Sequence, residues 1–388
     1  MKNLTNYLNQ QVNNLPESEL WEIFNLANKM EEVISLSVGE PDFATPWIVA
    51  NEASYAIESG KTFYTPNLGL LKLREEVCNY YYRRFNLDYN PNQVLMTVGG
   101  SEALDLICRS CLNPQDEVII LEPAYIAYRP IIELAGGVCK VINLEEANGF
   151  KLTPAALKAA IGPKTKLLLL NYPSNPTGGV MTYEDYQKLV PIIKDSGLLV
   201  ASDEIYAELI YDEKFSSLAA FPAIKDQVIV INGFSKAYAM TGFRLGYILA
   251  NEVFIKAFVN IHQYTIICAH TPTQFAAITA LQKCDKQIDA MREEFERRRN
   301  FLVNNLNRIG LETHLPHGAF YVFCNISKTG LSAHDFCIEL LKSQHVALIP
   351  GTAFGASGEN YVRISYAYSV AELKEALKRI EQFLKEIK

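Results

Sequence analysis

The sequence predicts an α/β protein built on a mostly parallel seven-stranded sheet, with a smaller α+β unit assembled from both ends of the chain. From about residue 93, short β-rich runs alternate with helical patterns, which is typical of a parallel sheet covered on both faces. Beyond about residue 283, the pattern changes to charged, amphipathic helical stretches. The composition, 49% hydrophobic and 20% charged over 388 residues, is that of a globular protein with ample material for a core.

Seven segments are candidate strands of the large sheet. The runs Leu167–Leu170 and Val228–Ile231 are apolar on successive residues, as expected of strands that are buried on both faces. Helical patterns lie between the strands, for example at Thr153–Ala160 and Tyr183–Lys194. The candidate strands are Val94–Val98, Glu117–Leu121, Val138–Leu144, Lys166–Asn171, Leu198–Ser202, Val228–Asn232 and Leu245–Ala250.

The smaller unit follows from the pattern near the C-terminus. Helices are predicted at Met291–Leu306 and Ala333–Leu341, and strands at Ala319–Phe323 and Tyr361–Ser365, before a final helix. The amphipathic stretch Ser18–Met30 is expected to pack with this unit. We therefore predict an N-terminal segment 1–47 that joins the small domain, a large domain 48–282, and a small C-terminal domain 283–388.

Charge and composition point to small-molecule substrates. A formal net charge of -7, without a long basic run, argues against nucleic acid or an anionic membrane as the main partner. No apolar run approaches the ~20 residues that cross a bilayer, and residues 1–16 do not have the apolar core of a secretory signal. The eight cysteines are scattered, as in a protein with reduced thiols. We expect a cytoplasmic protein.

Three patterns imitate functional motifs without meeting their requirements. Gly60–Thr62 ends like a phosphate-binding loop, but Tyr55 stands where that loop needs glycine. The CxxC pair Cys108 and Cys111 falls late in a predicted helix, whereas a redox cysteine needs a helix N-terminus. His314 and His317 form a loop pair that is more often structural than metal-binding, and we predict no metal site.

The central motif is NGFSKAYAMTGFRLGY, which contains Ser235, Lys236 and Arg244 and follows the buried strand Val228–Asn232. This is the end of the strand at which doubly wound sheets bind ligands. A serine followed by a lysine also occurs at Ser327, without such a context. The surrounding segment therefore carries the prediction, and the dipeptide alone does not.

This motif and the others below, in the same order, resemble the class I aminotransferases, which are fold type I enzymes dependent on pyridoxal 5'-phosphate (PLP). The resemblance covers nearly the whole chain. It implies that Lys236 holds the cofactor as a Schiff base and then moves the substrate α-proton. A lysine can attack a carbonyl only when it is partly deprotonated, so a lowered pKa is expected from neighbouring cations in a closed site.

The resemblance assigns the cofactor ring to four further residues. Asp203, in ASDEIYAEL, would keep the pyridine nitrogen protonated, which PLP needs in order to act as an electron sink. Tyr206 would donate to the phenolate oxygen of the cofactor, and Asn175, in NYPSNPTG, would share that oxygen. Tyr125, in EPAYIAY, takes the position of the aromatic ring over the pyridine face.

The phosphate group would bind where a strand gives way to a helix. Gly99, Gly100 and Ser101 occupy that turn, where free N–H groups and the helix dipole favour an anion. By resemblance, Ser235 and Arg244 complete this site. Tyr64, in FYTPNLGL, matches a residue that reaches the phosphate of the neighbouring subunit, which implies a homodimer with shared active sites.

The substrate carboxylate would be bound from outside the large domain. The resemblance gives this contact to Arg363, in YVRISYA, whose planar guanidinium matches a carboxylate as lysine cannot. The backbone at Gly39, in SVGEPDF, and the side chain of Asn175 would complete it. Binding could then draw the small domain over the site and exclude water.

The substrate is the least determined feature. Motifs look closest to bacterial aromatic, aspartate and acyl-diaminopimelate aminotransferases, yet Phe243 and Tyr125 replace tryptophans that are usual or frequent in relatives. We therefore expect an aromatic or broad-range L-amino acid as donor, with aspartate as a further candidate, and a 2-oxo acid such as 2-oxoglutarate as acceptor. Arg109 is a candidate reader of a second carboxylate, although a surface ion pair is the ordinary role. The alternative activity is that of a PLP-dependent carbon-sulfur β-lyase or another fold type I PLP enzyme, because one scaffold supports many reactions.

Overall fold

The structure, a computed structural model, describes residues 4–13, 15 and 19–387. The strands are β1 (Ile34–Ser35), β2 (Val94–Thr97), β3 (Glu117–Glu122), β4 (Val138–Asn143), β5 (Thr165–Asn171), β6 (Leu199–Asp203), β7 (Val228–Gly233), β8 (Gly246–Leu249), β9 (Tyr321–Asn325), β10 (Val346–Ala347), β11 (Ile349–Pro350) and β12 (Tyr361–Ser365).

The α-helices are α1 (Gln10–Asn13), α2 (Glu19–Ala27), α3 (Trp47–Glu58), α4 (Leu71–Phe85), α5 (Gly99–Cys111), α6 (Tyr128–Leu134), α7 (Pro154–Ala160), α8 (Tyr183–Ser196), α9 (Glu252–Thr265), α10 (Thr271–Lys283), α11 (Asp285–Arg308), α12 (Ala333–Gln344) and α13 (Val370–Glu386). Short 3-10 helices span Leu4–Tyr7, Pro91–Gln93, Glu146–Asn148, Leu218–Ala220, Lys225–Gln227, Thr241–Phe243, Ser327–Thr329, Gly351–Phe354 and Ala356–Gly358.

The seven predicted strands form one sheet in the order β2-β8-β7-β6-β5-β3-β4. All neighbouring pairs are parallel except those of β8, which runs antiparallel to both β2 and β7. The predicted mostly parallel sheet is thus confirmed. Residues Leu167 to Asn171 of β5 and all of β7 are buried, as their unbroken apolar runs predicted. The edge strand β4 differs, because half of its residues are exposed.

Local capping fixes where a helix beside this sheet begins and ends. The hydroxyl of Thr182 accepts the N–H of Asp185 at 3.2 Å, and Asp185 Oδ2 accepts the N–H of Thr182 at 3.1 Å. This reciprocal pair starts α8. The helix ends at Gly197, whose φ of 65° is easily adopted only without a Cβ.

A second, smaller set of strands lies outside the large sheet. Strands β11, β12 and β9 form an antiparallel sheet, and β1 near the N-terminus pairs in parallel with β10. The predicted amphipathic stretch Ser18–Met30 is represented by α2, whereas Ser18 lies outside the described residues. The hydroxyl of Thr352 donates to Glu19 Oε2 at 2.5 Å, so α2 packs with the C-terminal unit as expected.

Two predicted elements of this unit have different bounds. The strand predicted at Ala319–Phe323 is wrong at its start, because Ala319 has a φ of 58°, which no strand residue adopts. The helix predicted at Met291–Leu306 extends further at both ends, over α11. The strand Tyr361–Ser365 is confirmed.

Within residues 4–13, 15 and 19–387, none of the helices combines the length and apolar character that a bilayer crossing needs.

Candidate active site

A cavity of about 410 Å³ lies at the carboxyl ends of the central parallel strands. Strand β5 ends at Asn171 and β6 at Asp203, and Lys236 follows β7; all three residues line the cavity. The other lining residues are Leu20, Trp21, Phe24, Ser37, Val38, Gly39, Glu40, Gly100, Ser101, Leu104, Tyr125, Ile126, Tyr128, Asn175, Ile205, Tyr206, Ser235, Thr241, Arg244, Tyr321 and Arg363.

Lys236 has an amine that is prepared for nucleophilic chemistry. Its Nζ donates a hydrogen bond of 2.6 Å to the carbonyl oxygen of Gly39. Burial lowers the pKa of this amine to about 8, and the cations of Arg363 and Arg244 add to the effect, while Glu40 opposes it. Burial is therefore the main cause, and the neighbouring cations expected from the sequence are secondary.

Asp203 is a buried carboxylate whose two oxygens have different partners. Its Oδ2 accepts a hydrogen bond of 2.7 Å from the hydroxyl of Tyr128, and its Oδ1 accepts the N–H of Ile205 at 3.2 Å. Burial raises the pKa of Asp203 to about 6, although the hydrogen bond from Tyr128 opposes the shift. A cation brought to this carboxylate would be favoured, because it would offset the cost of burying the charge.

Arg363, on β12 of the small unit, lines the cavity and contacts two other lining residues. Its Nη1 donates to Asn175 Oδ1 at 3.0 Å, and its Nη2 donates to the carbonyl of Ser37 at 2.5 Å. The guanidinium carbon lies 4.5 Å from the ring of Tyr321 and 4.9 Å from that of Phe354. The Nε of Arg363 is buried and has no partner among the described residues. Burial also lowers the pKa of this side chain.

The start of α5 has the features of an anion-binding turn. Gly99 has a φ of 74°, and Gly100 and Ser101 follow in the first helical turn, where backbone N–H groups have no partner within the helix. A Cβ on Gly99 would lie 2.6 Å from Nη2 of Arg244, so only glycine allows the arginine to approach this turn. Ser235, which precedes Lys236 in the sequence, is buried and lines the same cavity.

The side chains of Glu102 and His262 support this turn. The N–H of Val98 donates to the carboxylate of Glu102, and Nδ1 of His262 lies 2.6 Å from the other oxygen of the same carboxylate. Glu102 is in the first turn of α5, where a negative charge is stabilised by the helix dipole. The turn is thus held by contacts that do not use its own N–H groups.

The predicted residues Tyr125 and Tyr206 flank the cavity in different ways. Tyr125 is half-buried, with its ring 5.4 Å from that of Tyr128 in an edge-to-face arrangement. Tyr206 is buried, and its hydroxyl lies 2.9 Å from that of Tyr321.

The arrangement fits PLP on three independent grounds. An anion site with Arg244 lies at one side, a buried acid at Asp203 lies deeper, and the amine of Lys236 lines the same cavity. Each is a partner that one part of the cofactor requires: the phosphate, the pyridine nitrogen and the aldehyde. The half-buried ring of Tyr125 offers an apolar face beside them.

Two predicted site residues do not line this cavity. Gly99 lies behind it, in contact with Arg244, and Tyr64 is 80% exposed on the surface. Arg109 does not line it either, and its Nε pairs with Asp105 at 3.0 Å on the surface of α5. The described part of the cavity therefore has Lys236, Arg244 and Arg363 as its cations.

The three patterns that imitate functional motifs lie outside the lining of the main cavity. Gly60–Thr62 follows helix α3 instead of a strand, and Lys61 lies 4.2 Å from the ring of Phe275. The ring centroids of His314 and His317 are 6.4 Å apart. Cys108 and Cys111 are in the last turn of α5, as predicted.

Several lining residues were not identified from the sequence. Tyr128 carried a signal, since it stands three residues after Tyr125 in EPAYIAY. Tyr321 and the apolar group Leu20, Trp21 and Phe24 carried none, because nothing local distinguishes a residue that faces a ligand from one that faces the core. The group on α2 was expected only to pack on the small unit.

Comparisons with known proteins agree with this geometry. The family model described as "Aminotransferase class I and II" matches residues 31–380. The putative aminotransferase YugH of Bacillus subtilis (strain 168) is 46% identical over 382 residues, covering 98% of this chain and 99% of that protein. Aromatic-amino-acid aminotransferase 2 of Thermococcus litoralis is 40% identical over 375 residues, covering 96% of each. The solved aspartate aminotransferase of Rhizobium meliloti has a TM-score of 0.94 at 35% identity, covering 97% of this chain and 98% of that one.

Proposed function

The chain belongs to the class I and II aminotransferases and uses PLP to transfer amino groups, and from this premise we propose that its donor is an aromatic or broad-range L-amino acid and its acceptor a 2-oxo acid such as 2-oxoglutarate. We further propose roles for the cavity residues. The single observation that supports the donor class best is the apolar wall that α2 contributes to the cavity.

Bound PLP supplies an electron sink that makes the α-proton of an attached amino acid acidic. The side chain of Lys236 would hold the cofactor and, once freed, would carry that proton between the substrate α-carbon and C4' of the cofactor. With a pKa of about 8, roughly a tenth of the amine is neutral at pH 7, far more than for an ordinary lysine. The site therefore has a base at neutral pH.

The remaining cofactor contacts follow from the same arrangement. The carboxylate of Asp203 would keep the pyridine nitrogen protonated, and the hydroxyl of Tyr206 would donate to the phenolate oxygen, which the side chain of Asn175 shares. Gly99, Gly100, Ser101, Ser235 and Arg244 would hold the phosphate. The ring of Tyr125 would cover one face of the pyridine.

Arg363 would bind the α-carboxylate of the substrate, together with Asn175 and the backbone of Gly39. Both N–H groups of its fork already point to oxygens, and its Nε remains unpaired. A substrate carboxylate would replace the neutral oxygens with a charged acceptor, which gives shorter and stronger hydrogen bonds.

The donor class follows from what surrounds these polar groups. Leu20, Trp21 and Phe24 on α2 face the cavity, and the rings of Trp21 and Phe24 are 5.7 Å apart in an edge-to-face arrangement. The cations of the described lining already have roles, so a second carboxylate finds no free cation there. An aromatic side chain would gain area burial and ring contacts on this wall.

A donor panel tests this proposal. Phenylalanine, tyrosine, aspartate and alanine are assayed with 2-oxoglutarate as acceptor, and we expect the highest kcat/KM for the aromatic donors. The two acceptors are compared with tyrosine as the donor, and we expect a higher KM for 2-oxoglutarate than for phenylpyruvate. Trp21→Ala should raise the KM of phenylalanine about tenfold and that of alanine little. Equal loss for both donors would contradict the assigned wall. Release of pyruvate from cysteine-like substrates without acceptor would indicate a lyase.

We also propose a homodimer in which Tyr64 serves the partner's site. Phe63 and Tyr64 are 81% and 80% exposed, and Tyr264 is 84% exposed. Hydrogen bonds hold these segments together, since Thr271 donates to the carbonyl of Phe63 at 2.7 Å. Such an exposed apolar patch is typical of an interface.

Mixed dimers test the assignment of Tyr64 to the partner's site. Tyr64→Phe protein is refolded with Lys236→Ala protein, each of which is impaired alone. If Tyr64 acts across the interface, the mixed dimer contains one intact site and recovers the PLP affinity of the natural protein. No recovery would mean that Tyr64 acts in its own chain or does not contact the cofactor. Light scattering of the natural protein gives the oligomeric state independently.

The domain division 1–47, 48–282 and 283–388 remains our proposal, with the first and last segments moving together over the cavity when substrate binds. It is supported by the position of Arg363 on β12 and of Trp21 on α2, both outside the large sheet. We propose a cytoplasmic location, because the eight cysteines all have free thiols.

A further inference from the structure

Tyr321, on β9, touches both halves of the proposed site. It is completely buried, and its hydroxyl lies 2.9 Å from the hydroxyl of Tyr206. Its ring lies 4.5 Å from the guanidinium carbon of Arg363. A Cβ on Gly39 would come within 2.3 Å of the Tyr321 hydroxyl oxygen, so that oxygen lies directly against the backbone there.

We propose that Tyr321 is a positioning residue that orients Tyr206 through its hydroxyl and Arg363 through its ring. The inference rests on the proposed roles of these two residues, toward the cofactor phenolate and the substrate carboxylate. It assigns separate tasks to two parts of one side chain.

The direction of the hydroxyl contact follows from counting protons. A tyrosine hydroxyl has one proton to donate. If Tyr206 donates its proton to the phenolate oxygen of the cofactor, it can only accept from Tyr321, and Tyr321 must be the donor. In a buried site such a chain of hydrogen bonds is cooperative, because each donor polarises the next. Tyr321 would therefore strengthen the donation by Tyr206.

The effect on the cofactor has a definite sign. Loss of the proton from the cofactor–Lys236 linkage leaves the phenolate oxygen without its internal partner. A hydrogen-bond donor to that oxygen therefore stabilises the deprotonated form of the linkage more than the protonated form. A stronger Tyr206 hydrogen bond thus lowers the pKa of the linkage. Removal of the Tyr321 hydroxyl should raise that pKa, by less than removal of the Tyr206 hydroxyl.

The ring has the second task. Tyr321 and Phe354 both lie against the guanidinium of Arg363, at 4.5 and 4.9 Å. Aromatic faces attract a cation and fix the plane of the guanidinium, and this contact is strongest where water is excluded. The two hydrogen bonds of Arg363 to Asn175 and Ser37 do not by themselves replace this packing.

Two substitutions separate the tasks. Tyr321→Phe keeps the ring, whereas Tyr321→Leu removes both parts. In the PLP-loaded protein, we expect Tyr321→Phe to raise the pKa of the linkage by about half a unit to one unit, measured by absorbance against pH. The KM for the amino acid should change less than about twofold. Tyr321→Leu should show the same pKa rise and an increase in KM of about 10- to 30-fold.

A double substitution distinguishes positioning from general structure. In a Tyr206→Phe background, Tyr321→Phe should leave the linkage pKa unchanged, because the chain of hydrogen bonds is already broken. Tyr366→Phe is the matched control. This residue is fully buried and does not line the cavity, and its hydroxyl donates to the carbonyl of Ala319 at 3.1 Å. It should leave the pKa and KM unchanged.

The outcomes separate this inference from the proposed function. A Tyr321→Phe protein with the natural linkage pKa, alongside a shifted Tyr206→Phe protein, overturns the hydroxyl role and leaves the aminotransferase assignment intact. Equal pKa shifts for Tyr321→Phe in both backgrounds overturn the coupling through Tyr206. An unshifted Tyr206→Phe protein removes the proposed role of Tyr206, on which the inference rests, and overturns both.

Discussion

The hydroxyl of Tyr128 donates a hydrogen bond of 2.7 Å to Oδ2 of Asp203, and both side chains are buried. This bond partly opposes the effect of burial, which raises the pKa of the carboxyl to about 6. It leaves Oδ1 with only a backbone N–H, at 3.2 Å. Tyr128 thus helps to keep Asp203 ionised where it would meet the cofactor.

Loss of this hydrogen bond should weaken cofactor binding. For Tyr128→Phe, we expect the affinity for PLP to fall about tenfold, since a hydrogen bond to a charged group contributes about 1.5 kcal/mol or more. Fluorescence titration of the cofactor-free protein with PLP measures it. Tyr172→Phe is the control, because that buried hydroxyl donates to Phe150 at 2.9 Å and does not line the main cavity. Equal affinities for the two variants would contradict the assigned role.

Gly99→Ala should damage the phosphate site specifically. The added Cβ would lie 2.6 Å from Nη2 of Arg244, and the φ of 74° disfavours any side chain. We expect PLP affinity to fall at least tenfold and the protein to lose about 1 to 2 kcal/mol of stability. Gly242→Ala is the control, since no atom of the described residues lies within 4 Å of its Cβ position. For both variants, PLP titration measures the affinity and chemical unfolding measures the stability.

The buried amine should also affect stability in a pH-dependent way. The pKa of Lys236 is lowered from 10.5 to about 8 in the folded chain, so between those values the unfolded chain binds more protons and stability rises with pH. Below about pH 8 the folded state carries the full penalty of the charged amine. Lys236→Met should therefore stabilise the cofactor-free protein at pH 7 by up to about 3 kcal/mol.

This stabilisation should shrink as the pH rises from 8 toward 10.5, which urea unfolding at several pH values would detect. Lys328→Met serves as the control, because this lysine is exposed and is paired with Glu312. Its effect on the free energy of unfolding should be small and without this pH trend. A pH-independent effect of Lys236→Met would contradict the lowered pKa.

Residues within extended motifs could be predicted from sequence, and residues that act across the fold could not. Asp203 ends strand β6 and Lys236 follows strand β7, so the motif of each residue and its place at the sheet edge agree. Tyr321 contacts Tyr206 across 115 residues of chain, and no local pattern encodes that approach. The antiparallel direction of β8 is likewise set by packing, because an apolar run has the same composition in either direction.

The apolar wall of the cavity could not be predicted from the sequence either. The amphipathic pattern predicted the helix α2, but its Trp21, which is 59% exposed, was not distinguished from an ordinary surface residue. Only the tertiary arrangement brings it to the cavity that also contains Lys236.

The covalent role of Lys236 can be measured directly. The PLP-loaded protein is reduced with borohydride, digested, and analysed by mass spectrometry for the modified lysine. We predict the modification on Lys236, and we expect neither the modification nor turnover in Lys236→Ala protein. Modification of a different lysine, or turnover of Lys236→Ala at the natural rate, would contradict this prediction.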